Sequence, residues 1–213
     1  MLLNYKKIPY ETIFLEFPDI EPTLKELGVS PVEPTTKYTV PAILHVSTDK
    51  AIMDSQPIAH FLEATYSDPP LALTSELGDM IQTDGRRLVG RVLSASVMPR
   101  EINILSARSQ EYFRRTRETS IGHPLEDLLQ GDREVKSWLE MEDGARTVGN
   151  LLLTNKADGP FVLGSKVSYA DFFIAGALQC ARVVDETIFQ RMIAYPGYKQ
   201  IYDACQPYME KKD

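Results

Sequence analysis

The stretch Val167-Ser168-Tyr169-Ala170-Asp171-Phe172 restricts this chain more than any other. It opens a segment from Ser168 to Ala181 in which only Asp171 and Gln179 interrupt the run of small and apolar residues before Arg182. A helix apolar on every side belongs in a protein interior, among other helices. The stretch also carries its own start signal. The Ser168 hydroxyl can accept from the Asp171 amide, the Asp171 carboxylate can reach back to the Ser168 amide, and Val167 can staple onto Phe172. Asp is shorter than the Glu or Gln usual at this position, so the box must close tightly. The expectation is the buried central helix of an all-helical domain, with Asp171→Ala costing about 1–2 kcal/mol through the lost cap. Cys180, on the same helix, is expected to be a small core residue rather than a nucleophile.

The chain has 213 residues, enough for one large domain or two small ones with ample core. Its 23 Lys and Arg against 30 Asp and Glu leave a net charge of −7, with no long basic run. That balance argues against nucleic acid or an anionic membrane as partner. Cys180 and Cys205 form neither a CxxC pair nor a metal-ligand spacing, and two thiols suit a reducing compartment. No metal site is expected. No apolar run approaches a membrane span, and Met1 to Lys7 is too short and polar for a signal peptide. The expectation is a soluble cytoplasmic protein.

In chain order, Leu2, Leu3 and Tyr5 read as the last turn of a helix, with Lys6 and Lys7 favourable at its C-terminal end. Tyr10 to Phe17 is rich in Thr, Ile, Phe and Leu and is predicted as a strand. A short helix follows from Glu21-Pro22 to Leu27, closed by Gly28. Ser30 to Lys37, with Pro31 and Pro34, is a loop whose hydroxyls Ser30 and Thr36 have no context marking them for chemistry. A strand from Tyr38 to Val46 with Pro41 at its mouth, a turn, and a strand from Lys50 to Met53 come next. A helix from Asp54 to about Tyr66 then leads to the linker Asp68-Pro69-Pro70. Beyond it, helical spacing predicts one helix from Thr74-Ser75 ending before Pro99, then helices over 108–118, 131–153, 185–194 and 197–205. The expected organisation is a domain over 1–68 and an all-helical domain over 73–213.

Each candidate binding residue has a structural reading beside the functional one. Val40-Pro41 alone is a strand edge, and Asp54-Ser55 alone is an N-cap. The same helix N-terminus also offers unbonded amides and the positive dipole end to a carboxylate. Arg114, Arg115 and Arg117 make either an anion site or a solvated face, with Glu111 and Glu118 at pairing distance along the helix. His45 and His60 share no motif with each other or with a cysteine and are expected to be structural or exposed.

The pattern Phe161-Val162-Leu163-Gly164-x-x-Val167-Ser168-Tyr169-Ala170-Asp171-Phe172 resembles the C-terminal domain of glutathione transferases. Val40-Pro41-Ala42-Ile43 and Asp54-Ser55 resemble the Val-Pro motif and acid-serine pair of that family's thioredoxin-like domain. The implied fold is an α/β thioredoxin-like N-terminal domain followed by an all-α C-terminal domain. The resemblance implies a cis proline at Pro41 and pairing of the Val40 backbone with the cysteinyl part of glutathione. It also implies that Asp54 holds the ligand's ammonium and Ser55 donates to its γ-glutamyl carboxylate. Leu3-Asn4-Tyr5-Lys6, Glu16-Phe17-Pro18-Asp19-Ile20-Glu21-Pro22 and the run Glu111 to Glu118 with Leu125-Glu126 resemble a narrower group. That group is the fungal glutathione transferases related to bacterial lignin β-etherases.

The family pattern begins with a strand and a loop carrying the serine, tyrosine or cysteine that activates the glutathione sulfur. This chain begins near the end of the helix that follows, so roughly 20–30 residues of the pattern are expected to be absent. The expectation is a shortened form in which no thiol activator can be named. Three functions stay open: a glutathione-dependent enzyme acting on small hydrophobic aromatic electrophiles, a non-catalytic binder of such molecules, and an interaction module. Met98, Tyr112 and Phe113 are candidates for the apolar side of the site or for core packing. The resemblance also implies a homodimer.

Overall fold

A computed structural model describes residues 1–32 and 37–210 of the chain. Pro34 and Thr36 lie outside the described residues. The N-terminal part holds α1 (Leu2–Tyr5), α2 (Phe17–Glu26), a hairpin of β1 (Ala42–His45) and β2 (Lys50–Met53), and α3 (Ser55–Thr65). The hairpin is antiparallel, in the register Ala42 to Met53 through His45 to Lys50. Its turn passes through Asp49 in the left-handed region (φ 50). Helix α3 buries Ile58, Ala59 and Leu62, one face of the expected helix.

Residues 10–16, expected as a strand, form none. A β-rich composition becomes a strand only where a ladder partner lies alongside. Among the described residues β1 pairs with β2 alone, and Ile13 and Phe14 stand exposed. Helix α2 also starts a turn earlier than expected, at Phe17, because Pro18 sits in its first turn, where the missing amide costs nothing. Pro22 then removes a single helical bond.

The remainder is helical. It comprises α4 (Glu76–Val92), α5 (Met98–Glu101), α6 (Ala107–Ile121), α7 (Arg133–Leu152), α8 (Tyr169–Val184), α9 (Glu186–Ile193) and α10 (Tyr198–Cys205). The helix that begins at Glu76 does not end before Pro99. It passes through a π-helical stretch, Leu93–Val97, into α5, with Pro99 buried in the first turn of α5. The wider π turn makes room for a proline ring that an unbroken α-helix would reject. Its polar groups are answered by side chains. Ser96, fully buried, accepts from the Trp138 indole at 2.8 Å and donates to Glu134 at 2.7 Å. Arg100 forks onto Glu134 and also donates to the Ser96 carbonyl at 2.9 Å.

Helix α8 occupies the centre, packed against α4, α9 and α10, with Ile174, Ala175, Leu178 and Ala181 at 1 % exposure or less. Its capping box forms. Asp171 does more than the box requires. Fully buried, its carboxylate accepts from the amides of Ser168 and Val162, each at 2.8 Å, and from the Ser168 hydroxyl at 2.6 Å. Burial pushes its carboxyl above the ordinary range, and these hydrogen bonds pull against that shift. Val162 is reached because the chain turns tightly at Gly164 (φ 71), where a Cβ would lie 2.9 Å from that of Asp158.

One face of α8 departs from expectation. Phe173, Gly176 and Ala177 are only partly buried, and Cys180 is exposed. These four recur at helical spacing, so they form a single stripe, and apolar composition alone does not tell which side of a helix is covered. The buried cysteine is Cys205, whose thiol burial pushes up to about 12.

Removing the Asp171 carboxylate orphans the buried Val162 amide as well as the Ser168 amide of the cap. Asp171→Ala is expected to cost about 3–5 kcal/mol, beyond the figure for a cap alone, read as a lowered denaturation midpoint. A loss of about 1 kcal/mol or less would mean that the Val162 contact contributes nothing.

Candidate functional site

The two halves of the candidate site meet through one backbone bond. The Asp54 amide donates to the Pro41 carbonyl at 3.0 Å, extending the hairpin register by one step past Met53. The Val40-Pro41 peptide is cis, as the resemblance implies. Val40 is half exposed, at 51 %, and Pro41 and Asp54 are exposed. The proline loop and the start of α3 therefore share one solvent-facing corner.

Asp54 occupies the N-cap position of α3, yet its side chain makes no cap hydrogen bond. Its backbone sits at φ 75, ψ 140, a region that side chains rarely adopt. Capping therefore does not explain this residue. Its carboxylate accepts from the Ser55 hydroxyl at 3.3 Å, a long contact. Helical bonding begins with the Ile58 amide on the Asp54 carbonyl at 3.0 Å, and Pro57 has no amide. The Ser55 and Gln56 amides thus precede the helical ladder and can face an anion, at the end where the dipole favours one.

Two contacts tie this corner to the helical part of the chain. The Tyr169 hydroxyl donates to the Ser55 hydroxyl oxygen at 2.9 Å, and Gln56 donates to the Gln82 side chain at 3.3 Å. Neither was legible from the sequence, where Tyr169 is only the first residue of a capped helix. Lys6 was missed for the same reason. Expected as a favourable charge at a helix end, it is buried, and its ammonium donates to the carbonyls of Tyr66 and Pro69 and pairs with Glu63 at 2.6 Å. Lys6 thereby anchors the segment that leads from α3 to the helical part.

The candidate apolar residues are dispersed over two helices. Met98 and Tyr112 are partly buried. Phe113 is 1 % exposed and packs against Phe17 at 5.3 Å between ring centres. Around that contact, the Phe17 amide donates to Ser109 at 3.1 Å, Glu16 accepts from Ser106 and Ser109, and Arg108 forks onto Asp19. The serine hydroxyls hold the Glu16 carboxyl below its ordinary range. The nearby arginines are engaged as well. Arg114 pairs with Glu118 at 2.6 Å and Glu126 at 2.7 Å, Arg115 lies over Tyr112, and Arg117 lies over Phe113. His45 is held by Thr48 and Tyr66 at 2.7 and 2.9 Å, a structural role. A groove of about 330 Å³ between α4 and α7, lined by Arg87, Arg91, Glu140 and Met141 among others, shares no residue with the Pro41–Ser55 corner. Among the described residues, no cluster of His, Cys, Asp and Glu could hold a metal, and no helix is long and apolar enough to cross a membrane.

Comparison with known proteins gives the family. A glutathione S-transferase N-terminal domain model matches residues 1–65, and a glutathione S-transferase C-terminal domain model matches residues 78–194. The chain belongs to the glutathione S-transferase family. The glutathione S-transferase-like protein ustS of Aspergillus flavus is 35 % identical over 210 residues, covering 91 % of this chain and 75 % of that protein. A glutathione S-transferase of Ceriporiopsis subvermispora, solved in complex with glutathione, superposes with a TM-score of 0.85 at 32 % identity. The match covers 99 % of this chain and 89 % of that one. A glutathione transferase of Phanerochaete chrysosporium superposes equally well, at 0.85 and 27 % identity, over 100 % and 88 % of the two chains. The fold is thus the family's thioredoxin-like N-terminal domain, here with a two-stranded sheet, joined to its helical C-terminal domain.

The backbone of Asp54 yields a prediction of its own. If the strain is kept for binding, Asp54→Gly will stabilise the fold by about 1 kcal/mol and will weaken ligand binding. Chemical denaturation of the variant measures the first effect, and a lower midpoint would show that Asp54 is held by contacts that favour the fold.

Proposed function

We propose that this chain binds glutathione at the Pro41–Ser55 corner. Val40 presents its backbone to the cysteinyl unit, Asp54 holds the γ-glutamyl ammonium, and Ser55 with the α3 amides holds its carboxylate. The observation that carries this reading is the Asp54 amide on the Pro41 carbonyl, which brings the two binding elements of the family within one hydrogen bond. The glutathione bound in the Ceriporiopsis relative supports it further.

The proposed co-ligand is a small hydrophobic aromatic molecule, met on the apolar side offered by Met98 and Tyr112, with Phe113 packing their neighbourhood onto α2. A bound thiol acting as nucleophile suits an electrophile of that class. The proposed kinship within the family is with the fungal proteins to which the similar solved structures belong. A binder that holds such molecules without turnover is the second reading. It is favoured by the absence, among the described residues, of a hydroxyl or thiol whose surroundings mark it for activating sulfur.

Retention on immobilised glutathione followed by thiol consumption with chlorodinitrobenzene separates the two. Retention with consumption indicates a transferase, and retention without it indicates a binder. Absence of retention would remove glutathione from the description altogether. Within the site, Ser55→Ala is expected to weaken glutathione binding by about 1.5–3 kcal/mol, the worth of one charge-assisted hydrogen bond. Unchanged affinity would take Ser55 out of the site.

A further inference from the structure

The first residue of the central helix reaches the binding corner. Tyr169 begins α8 and is 8 % exposed. Its amide donates to the Ala72 carbonyl at 2.9 Å, and the Ser168–Asp171 box fixes the turn that carries it. From there its hydroxyl donates to the Ser55 oxygen at 2.9 Å, across 114 positions of sequence. Tyr169 is thus held at its backbone, ring and hydroxyl, while Ser55 belongs to the part of the chain that holds the ligand.

The chemistry of a hydroxyl makes this contact directional. Ser55 has one proton and two lone pairs. With Tyr169 donating into a lone pair, the Ser55 proton is left to point elsewhere. Its acceptor within the chain, the Asp54 carboxylate, lies at a long 3.3 Å. A hydroxyl that is already accepting a hydrogen bond is also a stronger donor. Ser55 is therefore aimed and polarised to donate to a carboxylate that arrives at the N-terminus of α3. Without Tyr169, the Ser55 hydroxyl would rotate between donating and accepting, and an arriving anion would have to select one orientation.

We propose that Tyr169 is a positioning residue for the γ-glutamyl carboxylate, acting through Ser55, so that the central helix of the helical domain sets the affinity for a group it does not itself touch. The proposal rests on the glutathione reading above. Glutathione affinity by calorimetry on the full chain tests it, with the unmodified protein, Tyr169→Phe, Ser55→Ala and the double variant. Phe keeps the ring and removes only the hydroxyl. Tyr169→Phe is expected to weaken glutathione about three- to tenfold. The double variant is expected to bind like Ser55→Ala alone, because the effect of Tyr169 passes through that oxygen. A Tyr169→Phe protein that binds as tightly as the unmodified one, even with a lowered unfolding midpoint, overturns the proposal and leaves the glutathione site standing. So does a double variant whose losses add. If the unmodified protein binds no glutathione, the site reading fails and the role of Tyr169 fails with it.

Discussion

A buried carboxylate sets the geometry on which the rest of this structure depends. Asp171 has no contact with solvent, yet it is bonded to the start of its own helix and to the preceding turn at Val162. Such a group is costly in an apolar interior unless each lone pair is answered. Here the answers come from two backbone amides and a hydroxyl, so the carboxylate fixes where α8 begins and at what angle the chain enters it. Tyr169 leaves from that fixed turn and ends on Ser55. The cap inside the helical core and the Ser55 hydroxyl at the candidate corner are therefore joined through one residue, Tyr169, whose backbone follows the cap and whose hydroxyl meets Ser55.

The N-terminal part is tied to the helical part at several points. A two-stranded hairpin has little stability alone, and here both strands pack against α3. Lys6 clasps the carbonyls after α3, Tyr5 donates to Pro70 at 2.8 Å, and α2 lies on α6 through Phe17, Glu16 and Asp19. The backbone at Asp54, between β2 and α3, stays in a conformation it would not choose. Exposed strain held by a supported frame is what a binding corner needs, because the donors are in place before the ligand arrives.

The features legible in the sequence were those whose causes are local. The capping box, the hairpin, α3 and the helices from α6 onward follow from neighbours a few residues apart, and the paired motifs at Val40-Pro41 and Asp54-Ser55 do meet at one corner. What escaped depends on distant partners. Residues 10–16 have the composition of a strand, but among the described residues no ladder forms beside them. Pro99 reads as a helix stop until the π turn before it is seen. Lys6 reads as a helix-end charge, although its acceptors lie some 60 positions away. Tyr169 carries no local mark of its bond to Ser55, because spacing along a helix says which residues share a face and not what that face meets.

The central claim is that a proline loop and a helix N-terminus form one receptor for a tripeptide. Amide nitrogen–proton spectra of the full chain, recorded during titration with glutathione, test it most directly. The largest shifts are expected at Val40, Asp54, Ser55 and Gln56, saturating together with one dissociation constant. Saturating shifts centred on the α4–α7 groove, with these four amides still, would contradict it.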